Sequence, residues 1–147
     1  MKILIISPGK KHDHTVAEGV REYEKRLSKK FELEWNFPAA GIKEVEGAAI
    51  LKTIKDGDYV VLLDERGKDI DTPGLAALVD KQLQSGTKRL VFVIGGAYGV
   101  DGGVQARANA ILKLSSLIFP HMVVRLILTE QLYRAQSILE GGKYHHA

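Results

Sequence analysis

A run of five apolar residues that ends in a glycine-rich loop is the feature that most constrains how this chain folds. Residues 90–94 read LVFVI, and the next five residues include Gly95, Gly96 and Gly99. An unbroken run rich in β-branched and aromatic residues is typical of a strand buried on both faces of a parallel sheet. Because glycine has no Cβ atom, the loop allows positive φ and lets a ligand approach the main chain. Ligands of open α/β sheets bind beyond the carboxyl ends of the strands, so we predict a ligand-binding loop at residues 95–99.

The spacing of these glycines differs from that of the two common nucleotide-binding loops. A dinucleotide-binding fingerprint needs G-x-G-x-x-G and an acidic residue about 20 positions further on, where this chain has Ser115. A phosphate-binding P-loop needs Lys and then Ser or Thr after its last glycine, whereas Gly99 is followed by Val100 and Asp101. Both kinds of loop are therefore excluded, and with them a dehydrogenase of the usual type.

Length and composition indicate one domain, spanning residues 1–147, of a cytoplasmic protein. The chain has no cysteine, which excludes disulfides, thiolate catalysis and Cys-based zinc sites and fits a reducing compartment. Its apolar runs are too short for a signal peptide or a membrane span, so no membrane partner is expected. The net charge of +3 is divided into +4 for residues 1–30, −5 for residues 31–75 and +4 for residues 76–147. Basic ends favour an anionic partner slightly, although solvated helix faces would give the same balance.

Hydrophobic periodicity predicts alternating strands and helices, and hence an α/β fold with a mainly parallel sheet flanked by helices. We expect strands at residues 2–7, 31–37 (at a sheet edge), 59–63 and 90–94, and a short strand and loop within residues 110–120. Helices are expected at residues 13–28, 43–55, 72–84, 101–110 and 121–139. If strands 59–63 and 90–94 are neighbours, the loops after them converge on one crevice, with Asp64 and Glu65 either contacting a ligand or simply solvated.

Two of the predicted helices carry apolar stripes that can be compared directly with the structure. In the helix at residues 43–55 the stripe consists of Val45, Ala48, Ala49, Leu51 and Ile54. In the helix at residues 121–139 it consists of Met122, Leu126, Thr129, Leu132, Tyr133 and Gln136. The apolar surface of this last helix is wider than one core-facing stripe requires, which predicts a homodimer.

Four motifs, taken together, resemble the RlmH (YbeA) family of small SPOUT-class RNA methyltransferases. They are IGGAYG at residues 94–99, LSSLIFPH at residues 114–121, EQLYRA at residues 130–135 and the terminal pair Tyr144-His145. The resemblance spans essentially the whole chain and implies an α/β fold with a C-terminal trefoil knot. It also implies a homodimer that uses S-adenosylmethionine to methylate N3 of a pseudouridine in a stem-loop of 23S ribosomal RNA, acting on assembled ribosomes.

Carried over by motif, the resemblance assigns residues to the methyl donor and to the RNA. The donor contacts would be Leu63, Gly95, Gly96, Leu114, Ser115, Ser116, Leu117, Ile118 and Phe119. The tail pair Tyr144-His145 would act on the substrate side and complete the site of the partner subunit. The family often has Arg and then Glu or Lys after this pair, where this chain has His146 and Ala147, which weakens the case for a terminal cation that holds the RNA.

The catalytic group is left open by the residues themselves. N3 of pseudouridine carries a proton that must leave before the nitrogen attacks, so a base has to reach it or a cation has to stabilise the imidate. The candidates are Tyr144, His145, Arg134 and His121, with Glu130 a further base by type, and Tyr98 either packs in the core or stacks on a base. No metal is expected, since His12 and His14 lack further paired ligands and Asp13 between them is read as a helix cap. The alternative function is a non-enzymatic nucleotide- or RNA-binding α/β module.

Overall fold

The computed structural model describes residues 1–96 and 99–146; Ala147 and Tyr98, with the roles predicted for that tyrosine, lie outside them. The strands are β1 (Lys2–Ile6), β2 (Glu32–Asn36), β3 (Tyr59–Asp69), β4 (Arg89–Ile94) and β5 (Ala110–Lys113). The helices are α1 (His14–Arg26), α2 (Lys43–Thr53), α3 (Thr72–Gln84), α4 (Gly102–Arg107) and α5 (His121–Leu139). The predicted alternation of strands and helices is therefore confirmed.

The strands form one parallel sheet in the order β2-β1-β4-β3-β5. The apolar run of β4 lies at the centre, with Leu90 opposite both Ile3 of β1 and Tyr59 of β3. The α/β fold and the edge position of β2 are confirmed, and β3 and β4 are neighbours. The trefoil knot stays a prediction. Because the strands are parallel, the loops after β1, β3, β4 and β5 all lie along the carboxyl edge of the sheet.

Side chains alternate between two apolar layers, one on each face of the sheet. On one face, Ile3, Phe92 and Ile94 pack with residues of α3 and α5 such as Val79 and Leu128. On the other face, the buried residues of the strands pack with residues of α2 and α4: Leu4, Ile6, Val60, Leu62, Val91 and Val93 meet Ile50 and Val104. Burial on both sides explains why β4 has no polar residue after Arg89.

The predicted apolar stripe of α5 is wrong in part. The residues that are buried in this helix are Arg125, Leu128, Thr129, Leu132, Ala135, Gln136 and Ser137, whereas Met122, Leu126 and Tyr133 are half-buried. The helix packs against both α1 and α3, and a Cβ atom on Gly19 of α1 would lie only 2.8 Å from Cδ1 of Leu126. Much of the wide apolar surface of α5 is thus used within the chain, by two neighbouring helices instead of one.

The prediction that the third strand spans residues 59–63 is corrected by its packing against β5. The strand does not end at Leu63 but continues to Asp69, with a bulge after Leu63 that puts both Leu63 and Lys68 opposite Leu112. Gly67 allows this close approach, because a Cβ atom there would lie 2.7 Å from the main chain of Ile111.

The predicted stripe of α2 is correct at Leu51 and Ile54, which pack against the apolar layer, but wrong in the first half of the helix. Glu46, Gly47 and Ile50 are the buried residues, while Val45 is 60% exposed. A carboxylate and a glycine occupy positions at which periodicity expects large apolar side chains. Among the described residues no helix combines the length and the apolar character that crossing a membrane requires.

Candidate active site

A cleft of about 680 Å³ lies where the irregular middle of β3 and the loops after β4 and β5 meet the first turn of α5. Of the predicted donor contacts, Leu63 lines it just before the bulge of β3, and Gly95 and Gly96 line it directly after β4. The segment after β5 contributes Leu114, Ser115, Leu117, Ile118 and Phe119. Ser116 is not part of the lining, and its hydroxyl lies 3.4 Å from Nζ of Lys113. The parallel topology has therefore brought three separate segments to one place.

The glycine loop is closed by its own main chain. The Gly99 N–H donates to the Gly96 carbonyl at 3.0 Å, and Gly99 has φ of 81°, the left-handed region that favours glycine. A Cβ atom on Gly95 would lie 3.2 Å from Cγ1 of Val100, and one on Gly96 would lie 2.5 Å from Oε1 of Glu46. The missing Cβ atoms at Gly95 and Gly96 therefore make room for Val100 and Glu46, and the approach of a ligand to the main chain of the loop stays a prediction.

Charges of both signs line the cleft. Asp64 and Arg66 form an ion pair at 3.1 Å, and the hydrogen bond from Arg66 holds the pKa of the Asp64 carboxyl below its usual value. Lys113, also in the lining, pairs with Asp69 at 3.1 Å. The structure thus places Asp64 and Glu65 within β3 and in the lining of the cleft, where Asp64 is half-buried and Glu65 is exposed to solvent. Paired charges beside an apolar wall suit a ligand that carries both an acidic and a basic group.

His121 is the predicted catalytic candidate that lies at the cleft, at the first residue of α5. Burial, and after it the positive charge of Arg125, lowers the pKa of its imidazole below the usual 6.5. The ring is consequently neutral at pH 7 and has a nitrogen free of a proton. A neutral imidazole at a cleft is able to accept a proton from a bound substrate.

Arg125 is an important residue that the sequence analysis missed. Its guanidinium is fully buried and donates to the Ser7 hydroxyl at 2.8 Å and to the Lys10 carbonyl at 2.9 Å. It also lies 4.7 Å from the centre of the Phe37 ring. Arg125 therefore fastens the loop after β1 to α5 and contributes to the low pKa of His121. The signal in the sequence that could have identified Arg125 is its position four residues after His121, one helical turn away.

The other three catalytic candidates form a second group, the tail cluster, at the opposite end of α5. Arg134 pairs with Glu130 at 2.6 Å and lies 3.2 Å from Nδ1 of His145. The Tyr144 hydroxyl donates to Glu130 at 3.1 Å, and its ring lies 4.7 Å from the guanidinium of Arg134. The cluster is completed by two aromatic residues of α1 and α5: Tyr23 and Tyr133.

The hydrogen bonds of the tail cluster fix the protonation of Tyr144. The contact with the Tyr23 hydroxyl, burial and the Glu130 carboxylate together raise the pKa of the phenol far above its usual 10. The hydrogen bond to Glu130 likewise raises the pKa of Arg134. Tyr144 is therefore a hydrogen-bond donor and not a base at neutral pH. Arg134 is a permanent cation, held in place by a carboxylate.

The cleft and the tail cluster are separated by most of the length of α5. Arg134 lies thirteen residues after His121 in this helix, which corresponds to about 20 Å at 1.5 Å per residue. One chain thus brings Arg134, Tyr144 and His145 together but leaves them far from His121 and from the predicted donor contacts.

The residues with metal-like spacing near the amino terminus have another role. Asp13 caps α1, as predicted, by accepting a hydrogen bond from the Thr15 N–H at 3.1 Å. His12 packs the edge of its ring against Trp35, with 4.4 Å between the ring centres. In the part of the chain that the structure describes, no three side chains of the metal-binding types come together.

Comparison with known proteins gives a consistent result along the whole chain. The family model described as "Predicted SPOUT methyltransferase" matches residues 1–145. Ribosomal RNA large subunit methyltransferase H of Parabacteroides distasonis is 40% identical over 99% of both chains. The protein of the same name from Geobacter metallireducens is 39% identical over 100% of both chains. The one from Trichlorobacter lovleyi is 39% identical over 99% of this chain and 100% of its own.

Proposed function

This chain belongs to the SPOUT methyltransferase family, and on that premise we propose that it methylates ribosomal RNA of the large subunit with S-adenosylmethionine as the methyl donor. The names of its relatives support this class of substrate, and the resemblance in the sequence motifs points to N3 of a pseudouridine in 23S ribosomal RNA. The observation that carries the proposal is the cleft, because eight of the nine expected donor contacts line it.

The cleft fits the proposed donor in size and in chemistry. Its volume of about 680 Å³ lies within the range of roughly 300–1,000 Å³ for small-molecule sites. Leu63 and Leu114 offer apolar surface to an adenine ring, and the main chain at Gly95 and Gly96 offers hydrogen-bonding groups to the ribose or the adenine. The Asp64–Arg66 pair suits a ligand with an ammonium and a carboxylate group. When bound, S-adenosylmethionine supplies an electrophilic methyl group on a positively charged sulfur.

We assign to His121 the removal of the proton from N3 of the pseudouridine. Its imidazole is neutral at pH 7 because burial and Arg125 lower its pKa, and it lines the cleft. A base at this position removes the N3 proton as the nitrogen becomes nucleophilic, and the rest of the catalysis is alignment of that nitrogen with the methyl group.

The tail cluster is assigned to the RNA, and its distance from the cleft requires a second copy of the chain. Arg134 offers a fixed cation to a phosphate or to a developing negative charge on the base, and Tyr144 and His145 offer rings and hydrogen bonds to an unstacked base. Since about 20 Å separates the two groups in one chain, a homodimer that sets the tail cluster of one copy over the cleft of its partner would complete the site.

The rim of the cleft supports the same proposal. Leu117 is 71% exposed and Ile118 is 81% exposed, which is unusual for two adjacent large apolar residues beside a polar cleft. A second copy would cover them. Light scattering at micromolar concentration should therefore give twice the chain mass of 16.2 kDa, whereas an active monomer would contradict this part of the proposal.

The proposal is tested with ribosomes from a strain that lacks the modification, incubated with the protein and S-adenosylmethionine carrying a labelled methyl group. Nucleoside analysis should find the label on N3 of one pseudouridine of the large-subunit RNA. Binding of donor and of RNA without any transfer would instead favour the alternative of a non-enzymatic binding module, which is expected to show only salt-dependent RNA affinity.

A further inference from the structure

Glu46 has a buried carboxylate that lies against the glycine loop. This carboxylate has no role in the proposed mechanism. Its side chain belongs to a residue only 6% exposed, and Oε2 accepts a hydrogen bond from the Gly41 N–H at 2.9 Å. The other oxygen, Oε1, lies 2.5 Å from the position that a Cβ atom on Gly96 would occupy. The carboxylate is thus fixed at one oxygen and lies against the loop with the other.

The next residue of α2 contacts the other end of the same loop. Gly47 packs directly against the carboxylate of Asp101, which would collide with any Cβ atom at Gly47. Asp101 in turn begins α4 by accepting a hydrogen bond from the Val104 N–H at 3.0 Å. Two consecutive residues of α2 therefore contact the loop on both sides of its turn, Glu46 at Gly96 and Gly47 at Asp101.

Stability alone does not account for a carboxylate at this position. Burying a charged group opposes folding unless hydrogen bonds compensate for the lost water. An apolar side chain of similar volume would fill the same space in the layer between α2 and the sheet without that cost. What the carboxylate adds is a side chain that the Gly41 N–H holds in place, with its other oxygen against Gly96.

We propose that Glu46 is a positioning residue for the methyl donor: it sets the path of the main chain at Gly96, and through it the groups that the loop offers to the cleft. This inference rests on the proposed donor site. It assigns Glu46 no contact with the donor itself, so its effect appears in donor affinity and not in the affinity for RNA.

The contact between Glu46 and Gly96 is tested by a double-mutant cycle in which the affinity for S-adenosylmethionine is measured by calorimetry. Gly96→Ala in the wild-type background pushes the carboxylate out of place and should weaken donor binding about tenfold. Glu46→Asp keeps the charge but withdraws it by one methylene group, so Gly96→Ala in that background should cost less than about threefold. Glu46→Ala provides a second background with the same expectation.

Matched controls separate this effect from general damage. Glu44→Ala removes an exposed carboxylate from the same helix, and Gly57→Ala adds a methyl group at a glycine with open space around it. Both should bind the donor as the wild type does. RNA affinity should be unchanged in every folded variant.

The outcomes are distinguishable. If the wild type does not bind S-adenosylmethionine, the proposed function fails. If the wild type binds but the effects of the two substitutions simply add, or Gly96→Ala alone is silent, only the positioning role of Glu46 is overturned. Failure of both Glu46 variants to fold also overturns it, because Glu46 would then serve the stability of the fold instead of the geometry of the loop.

Discussion

The two ends of α5 are built in opposite ways. At its first turn, His121 and the buried Arg125 lie among main-chain segments that several strands bring together. At its last turns, Arg134, Tyr144 and His145 are joined by side-chain contacts within one helix and the tail that follows it. The first arrangement makes a concave cleft, and the second a surface of rings and charges. The comparison indicates that donor binding depends on the sheet and that substrate contact depends on the tail, so the two activities should be separable.

The pKa shifts at the two ends of α5 also have opposite directions. Burial and a nearby cation lower the pKa of His121, which favours its neutral form. Hydrogen bonds and a nearby carboxylate raise the pKa values of Tyr144 and Arg134, which favours their protonated forms. At neutral pH one end of the helix therefore offers a proton acceptor, and the other end offers hydrogen-bond donors that keep their protons.

The largest expected effect comes from removing the tail. Deletion of residues 143–147 takes away Tyr144 and His145 and should lower the rate of ribosome methylation by about 10³-fold, since alignment of the substrate is lost. Donor affinity should stay within about twofold of the wild type, because none of the described residues of this segment, 143–146, lines the cleft. Single-turnover methylation and calorimetry measure the two quantities.

If donor affinity fell together with the rate of methylation, the two ends of α5 would not have separate functions. The deleted segment would then support the cleft, and the two ends of α5 would form one unit. Full methylation by the shortened chain would remove the substrate role of the tail altogether.

A smaller loss is expected at the other end of the helix, from His121→Gln. Removal of a general base should slow methyl transfer by about 10²-fold at pH 7. Because the pKa of His121 is lowered, the wild type should keep its rate as the pH falls to about 6.5 and lose it only below that value. The glutamine variant should have no such step, which a pH–rate profile under single-turnover conditions will show. If the rate of the wild type did not fall below neutral pH, or if the glutamine variant showed the same fall, His121 would not be the general base.

The smallest effect on activity is expected at the start of α3, which belongs neither to the cleft nor to the tail cluster. Asp71 caps this helix by accepting a hydrogen bond from the Gly74 N–H at 2.8 Å. Asp71→Ala should lower the free energy of unfolding by about 1 kcal/mol and the melting temperature by about 2–4 °C. Methylation at 25 °C should be unchanged. Thermal unfolding followed by circular dichroism measures the melting temperature and the free energy of unfolding. A lower rate of methylation at 25 °C would show that activity depends on overall stability and not on the two ends of α5.

The sequence predicted the sheet and the place of the cleft well because both follow from strong local patterns. The apolar run before Gly95 has one favourable environment, a central parallel strand, and the loops after such strands meet at one edge. The short apolar run of residues 59–63 similarly predicted a buried strand, and the register shows that this strand pairs with β4.

Positions at which polar groups are buried were predicted poorly. Arg125 and Glu46 both occupy core-facing positions of helices, and a stripe drawn through apolar residues passes beside them. Their partners are the Ser7 hydroxyl and the Gly41 N–H, which lie on other segments of the chain. Such pairings are set by tertiary contacts, and no periodicity within a helix encodes them. The continuation of β3 past Leu63 was missed for a related reason, since it depends on pairing with β5 across a bulge.

The central claim, that the cleft of one copy works with the tail cluster of its partner, is tested most directly with mixed dimers. The first chain lacks residues 143–147, and the second is a full-length Gly95→Val chain whose added side chain meets Val100 and should displace the loop, so that donor binding is lost. The two chains are co-expressed with different amino-terminal tags and purified as a mixed pair. Neither parent should methylate ribosomes, whereas the mixed dimer should regain about half of the wild-type activity, because one of its two sites combines an intact cleft with an intact tail. Activity no higher than that of the inactive parents would contradict the claim.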